Sequence, residues 1–189
     1  MKKILKYILP IIVAIAIIAF LEPLIKKQQN MEQYDFKVTS VDGVLKKEDF
    51  NGKVLAIYFG YMYCPDVCPT SLSSLAFALD SFTPKQLENF SGLFISVDPD
   101  RDGLKELDEY SKYFHKTFLG ATSNKENIDD IAKRYDSFYE KIYLPDSQID
   151  YSVSHTSYIY IFNKKGEMVK KVDHFTNPDE LKAVLSKLL

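Results

Sequence analysis

Val54 to Phe59 is an unbroken apolar run of six residues in which Val, Ile, Tyr and Phe predominate. A run of that length and makeup reads as a central strand buried on both faces, so the rest of the chain has to cover it. It leads through Gly60 into Tyr61-Met-Tyr-Cys64-Pro-Asp-Val-Cys68-Pro69. A segment from Ser71 to Phe82 follows, in which Leu72, Leu75, Ala76 and Leu79 recur at helical spacing. Both cysteines of the chain therefore share one strand-to-helix turn, with three residues between them and a proline after each.

The remaining pattern fits around that unit. Phe36 to Val38 and Val44-Leu45, separated by Asp42-Gly43, read as a small hairpin, because Asp-Gly suits a tight turn. Leu93 to Val97 reads as a second buried strand, and Leu104 to Phe114 and Ile128 to Tyr135 as amphipathic helices. Tyr158 to Phe162 and Met168 to Val172, joined by a turn, read as a strand pair, and Asn177 with Pro178 opens a closing helix. Two β–α–β crossovers followed by an antiparallel pair and a last helix predict an α/β, thioredoxin-like fold with an N-terminal β-hairpin extension. The Tyr-rich tract from Tyr135 to Tyr151 reads as an extension whose aromatic rings cover the sheet edge.

The N-terminus differs in kind. Lys2, Lys3 and Lys6 precede the run Tyr7 to Ile25, 19 residues in which Glu22 is the one charge. As a helix that run is about 28 Å long, close to the apolar thickness of a bilayer. No A-x-A cleavage site follows it, so it reads as a single transmembrane anchor, residues 1–25. Lysines at the extreme N-terminus place that end in the cytoplasm and the domain on the extracytoplasmic face. Residues 26–34 are polar and read as a tether; residues 35–189 are the size of one domain. A formal net charge of −2 gives no basic surface for nucleic acid.

A thiol at a helix N-terminus feels the positive end of the helix dipole, which favours thiolate. Thiolate is the nucleophile of disulfide exchange and also a soft ligand for Cu(I). Thioredoxin-type redox motifs place two residues between their cysteines and this chain places three, while a purely structural disulfide is compatible with both. A third donor distinguishes a metal site. His155 lies immediately before the buried strand Tyr158 to Phe162, and in a thioredoxin-like sheet the loop entering that strand faces the cysteine loop. His115 and His174, each beside Phe at the end of an element, read as structural residues.

Three elements in this order, Tyr58-Phe-Gly-Tyr-Met-Tyr-Cys-Pro-Asp-Val-Cys-Pro69, Phe94-Ile-Ser-Val-Asp-Pro-Asp-Arg-Asp102 and His155 ahead of a strand, resemble the Sco/SenC family. The resemblance covers the whole of residues 35–189. It implies a membrane-anchored, thioredoxin-like protein that binds copper, as Cu(I) or Cu(II), through Cys64, Cys68 and His155. It also implies delivery to a copper-receiving protein, a cytochrome c oxidase subunit, during assembly of the oxidase copper site. No catalytic turnover is expected. The alternative is a thiol–disulfide reductase in which a redox-active Cys64–Cys68 pair reduces the cysteines of a copper-site target, with Cys64 attacking and Cys68 resolving. Asp98 is expected behind the ligands or in contact with a partner, and Asp100 and Asp102 as solvated capping acids of a turn. Many members carry an acid before the histidine and after the second Cys-Pro; this chain has Ser154, Thr70 and Ser71 at those places.

Overall fold

The computed structural model describes residues 2–145, 149–173 and 177–189, with the side chains at 2–12, 14, 16 and 27 outside that description. Strand β3 (Val54–Gly60) is buried along its whole length and pairs residue for residue with β4 (Phe90–Ser96), also buried throughout. The two are parallel, as a strand–helix–strand crossover through α2 (Val67–Leu79) requires. A short helical turn, α3 (Pro84–Leu87), capped by Thr83, completes the crossover. Strand β4 begins three residues before the expected Leu93, because Phe90, Ser91 and Gly92 find ladder partners in Val54, Leu55 and Ala56.

The hairpin of β1 (Lys37–Ser40) and β2 (Gly43–Lys46) is present, followed by a 3₁₀ turn (Lys47–Phe50). Its tight loop is Val41-Asp42, with Gly43 at φ +121° closing it, one position earlier than the Asp-Gly reading. Helix α4 (Leu104–Phe114) matches its expected bounds. Strand β5 (Phe118–Thr122) was not expected: it is short and interrupted by Gly120, so its pattern is weak. It pairs parallel with β4 and antiparallel with β1, and Gly120 lies so close to the Leu107 backbone of α4 that a Cβ there would sit 2.2 Å from the carbonyl oxygen. Helix α5 (Lys125–Arg134) follows, capped by the Asn124 side chain. The Tyr-rich tract forms a separate two-stranded sheet, β6 (Tyr139–Tyr143) against β7 (Tyr151–His155).

Strand β8 (Tyr158–Phe162) returns antiparallel to β3, β9 (Met168–Asp173) pairs antiparallel with it, and α6 (Pro178–Leu185) packs against α2. The main sheet has the order β2-β1-β5-β4-β3-β8-β9. The expected mixed α/β sheet is thus observed, one strand wider than its pattern showed. Strands β3 and β4 end at the same edge, and antiparallel β8 starts there, with Ile159 opposite Tyr58. The cysteine turn, the loop after β4 and the residues entering β8 are therefore brought to one edge by topology alone.

Helix α1 (Lys2–Gln33) contains the apolar run and continues through the polar segment read as a tether. Lys, Gln, Glu and Met are good helix formers, and Lys26–Glu22 and Gln28–Glu32 pair one turn apart. Its end is fastened to the domain. Arg134 Nη1 donates to the Gln33 carbonyl at 3.2 Å, Met168 N to Asn30 Oδ1 at 3.3 Å, and Lys47 Nζ to the Met31 carbonyl at 3.3 Å. The Tyr135 hydroxyl donates to the Tyr34 carbonyl at 2.6 Å, within an edge-to-face aromatic cluster of Tyr34, Phe59, Tyr135 and Tyr160. Among the described residues no helix is long and apolar enough to cross a membrane; the undescribed side chains include most of the first half of the apolar run.

Candidate metal centre

The turn after β3 holds both cysteines as free thiols, Cys64 just ahead of α2 and Cys68 within its first turn. Pro65 restricts the loop backbone and Pro69 sits in the first turn of α2, and the Cys68 N–H points back to the Cys64 sulfur at 3.4 Å. Cys68 is fully buried, and Gly60 makes room for it: a Cβ at Gly60 would stand 2.8 Å from the Cys68 sulfur and 2.8 Å from the Phe94 ring. Glycine is required there by close approach rather than by backbone angle.

His155 is the last residue of β7, and its Nε2 lies 3.2 Å from the Cys68 sulfur. One donor atom from each of Cys64, Cys68 and His155 falls within 4.8 Å of the others, the one such cluster among the described residues. The imidazole is held edge-on to the rings of Tyr61 and Tyr58, with centroids 5.8 and 6.2 Å away. Its Nδ1 faces the Thr156 carbonyl at 3.2 Å. A carbonyl only accepts, so Nδ1 donates there and Nε2 is the ring nitrogen left facing the sulfurs, the one placed to bind a metal.

The two thiols are pushed apart. The Cys68 thiol, His155 and the backbone N–H groups of Asp66 and Cys68 lower Cys64 to about 4 against its own burial. Burial, reinforced by the neighbouring Cys64, raises Cys68 well above the ordinary cysteine value. One sulfur is a thiolate at neutral pH and the other keeps its proton until a cation or an oxidant takes its place.

The loop after β4 supports this turn. Asp102, expected as a solvated cap, is buried; its Oδ2 accepts from Ser96 Oγ at 2.6 Å and from the Met62 N–H at 3.0 Å, which fixes the chain two residues before Cys64. Its carboxyl is raised above the usual range by burial. Asp100 stays exposed and meets Lys141 of β6 at 2.7 Å. The Asp98 carboxylate is fully buried and bonded to Arg101 and Tyr151, so its side chain does not reach the surface. Met62 packs against the core. His115 is away from the cluster, paired with Thr117 Oγ1 at 2.8 Å, and His174 lies outside the described residues. Sequence reasoning passed over Gly60, Arg101 and Asp102 as participants. The spacing Asp98-Pro-Asp-Arg-Asp102 was visible at a strand end, but nothing in it marked which acid turns inward.

Residues 25–189 match the family model described as SCO1/SenC. The chain belongs to the SCO1/SenC family. A SCO2-like protein of Rickettsia conorii is 30% identical over 148 residues, 78% of this chain and 72% of the relative. Among solved structures, Arabidopsis thaliana ScoI with copper bound superposes with a TM-score of 0.73 at 33% identity, covering 81% of this chain and 95% of that one. The solution structure of apo Sco1 from Thermus thermophilus gives 0.74 at 34% identity, over 82% and 91%. The sheet described above is accordingly the thioredoxin-like fold of Sco proteins.

Proposed function

We propose that this SCO1/SenC protein is a membrane-anchored copper carrier that hands its ion to a partner in building the copper site of cytochrome c oxidase. The observation that carries the reading is the convergence of Cys64, Cys68 and His155 within 4.8 Å at one sheet edge. Two soft thiolates and a neutral imidazole form a donor set suited to copper. The Arabidopsis relative of the same fold was solved with copper bound.

Copper binds as Cys68 loses its proton to join Cys64 as a thiolate. A three-donor site at the rim of the sheet leaves the ion open to an incoming thiolate of the receiving protein, so transfer goes by ligand exchange and needs no free ion. The anchor is the apolar run of α1, whose described large side chains, from Val13 to Ile25, are exposed and find no cover in the domain. The lysines preceding it orient the domain outward.

A thiol–disulfide reductase is the second reading, favoured by the unequal pair: Cys64 as thiolate is primed to attack, and the protonated Cys68 is placed to resolve. The discriminating experiment is an anaerobic titration of the reduced and the oxidised protein with Cu(I) and Cu(II), followed by metal analysis. The carrier reading requires one copper per reduced chain and almost none per oxidised chain, because a Cys64–Cys68 disulfide removes two donors at once. Disulfide exchange without specific copper binding would replace it with the reductase.

A further inference from the structure

His155 is carried by the β6–β7 hairpin, a sheet separate from the main one, whereas both cysteines belong to the β3–α2 turn. Beside the contacts of His155 itself, the Arg101 side chain bridges the two. The Arg101 guanidinium lies over the Tyr151 ring at 3.7 Å, the Tyr63 ring at 4.9 Å and the Tyr61 ring at 5.8 Å. Tyr61 and Tyr63 belong to the cysteine loop and Tyr151 begins β7. Arg101 Nη1 donates to the Tyr151 carbonyl at 2.9 Å, and Nε donates to buried Asp98 at 2.6 Å. Asp98 in turn accepts from the Tyr151 hydroxyl at 2.7 Å, and Lys141 of β6 donates to that hydroxyl at 3.1 Å.

We propose that Arg101, held by Asp98, is the positioning residue that sets His155 against the cysteines by clasping Tyr151 to the cysteine loop. Tyr151, Val153 and His155 alternate onto one face of β7, so fixing Tyr151 fixes where the imidazole falls, four residues or about 13 Å further along. Val153 is buried between them. Arginine suits the place because its planar fork bonds a carbonyl and a carboxylate while stacking on rings, which a lysine ammonium cannot do together. Asp98 therefore acts both through Arg101 and directly on the Tyr151 hydroxyl, and the clasp supplies no donor to the Cys64–Cys68–His155 cluster. The inference rests on the copper-carrier reading for its consequence, not for its geometry.

The test uses the full chain in detergent, as wild type, Arg101→Lys, His155→Ala and the double variant. In the reduced, metal-free protein the His155 ring nitrogens are followed by NMR and the amides of residues 153–156 by hydrogen exchange. Arg101→Lys is expected to shift the ring signals toward those of a free imidazole and to speed exchange at these amides at least tenfold. With Cu(II) bound, it should lose the imidazole nitrogen coupling in electron spin resonance and bind about tenfold more weakly. The double variant should bind no more weakly than His155→Ala alone, because both changes remove one interaction. Lys141→Gln, on the partly exposed side of the clasp, should give a smaller loss in the same direction and decides the matter should Arg101→Lys not fold. Wild-type ring signals and exchange in the folded variants overturn the proposal. So does an additive double variant. A wild-type protein that binds no copper removes the carrier reading and leaves the metal-free arm to judge the clasp.

Discussion

The His155 imidazole nitrogen lies 3.2 Å from the sulfur of Cys68, although 87 positions separate the two residues in the chain. The contact joins a side chain from a two-stranded outlying sheet to one in the first turn of a helix, and it turns a pair of thiols into a three-donor site.

Removing the imidazole tests that contact. His155→Ala should weaken copper binding at least tenfold, about 1.4 kcal/mol, with the fold retained. His115→Ala, whose ring pairs with Thr117, should bind as wild type. Equal affinity in both variants would move the assignment to the reductase.

The cysteines should react unequally. An ordinary cysteine, with a pKa of about 8.5, loses its thiolate as the pH falls from 8 to 6. Cys64, lowered to about 4, keeps it. Iodoacetamide should therefore label Cys64 first, at a rate nearly flat down to about pH 5, while Cys68 stays unlabelled. Mass spectrometry of the peptide containing both residues reads the order, and preferential labelling of Cys68 would contradict the assignment. Bound copper should suppress labelling at both.

Gly60→Ala places a methyl group against the Cys68 sulfur and the Phe94 ring. Both neighbours sit in packed surroundings, so the change should cost about 1–3 kcal/mol of stability and displace the sulfur enough to lower copper affinity. Chemical denaturation and copper titration measure the two effects. A fully stable variant with wild-type affinity would show that the sulfur moves freely.

Lys47 is buried under the end of α1, with its ammonium 4.9 Å above the Phe162 ring, and burial lowers its pKa to about 8. In the unfolded chain it holds its proton up to 10.5. Between those values the unfolded state binds more protons, so the Lys47 contribution to stability rises with pH, by something on the order of 1 kcal/mol. Because tyrosines titrate in the opposite sense above about pH 10, the measured quantity is the difference between wild type and Lys47→Met. A difference that stays constant from pH 8 to 10 would mean the ammonium is as solvated folded as unfolded.

The anchor is tested by fractionation. Full-length protein should stay with membranes through high-salt and alkaline washing, and a chain starting near Asp35 should be soluble and folded. A processed, freely soluble full-length product would identify the run as a cleaved signal.

The sequence by itself determined the parts whose cause is local. The β3 run, the bounds of α4 and β8, the Asn177–Pro178 start of α6 and the placement of both cysteines at a strand-to-helix turn all follow from periodicity, capping and chain punctuation. Tertiary structure decided the rest, where long-range pairing overrides a weak local pattern. Strand β5 exists because β4 and β1 offer it ladders and Gly120 admits α4. The β6–β7 hairpin exists because Tyr151 and Lys141 find Asp98, Asp100 and Arg101 across a gap of about 40 to 50 residues. Asp102 looked like a solvated cap because nothing around it in the chain shows that Ser96 and Met62 will close over it. Three donor residues could be named from their order along the chain, but the distance between them, and the unequal protonation of the two sulfurs, come from burial and from contacts made only when the sheet edge is assembled.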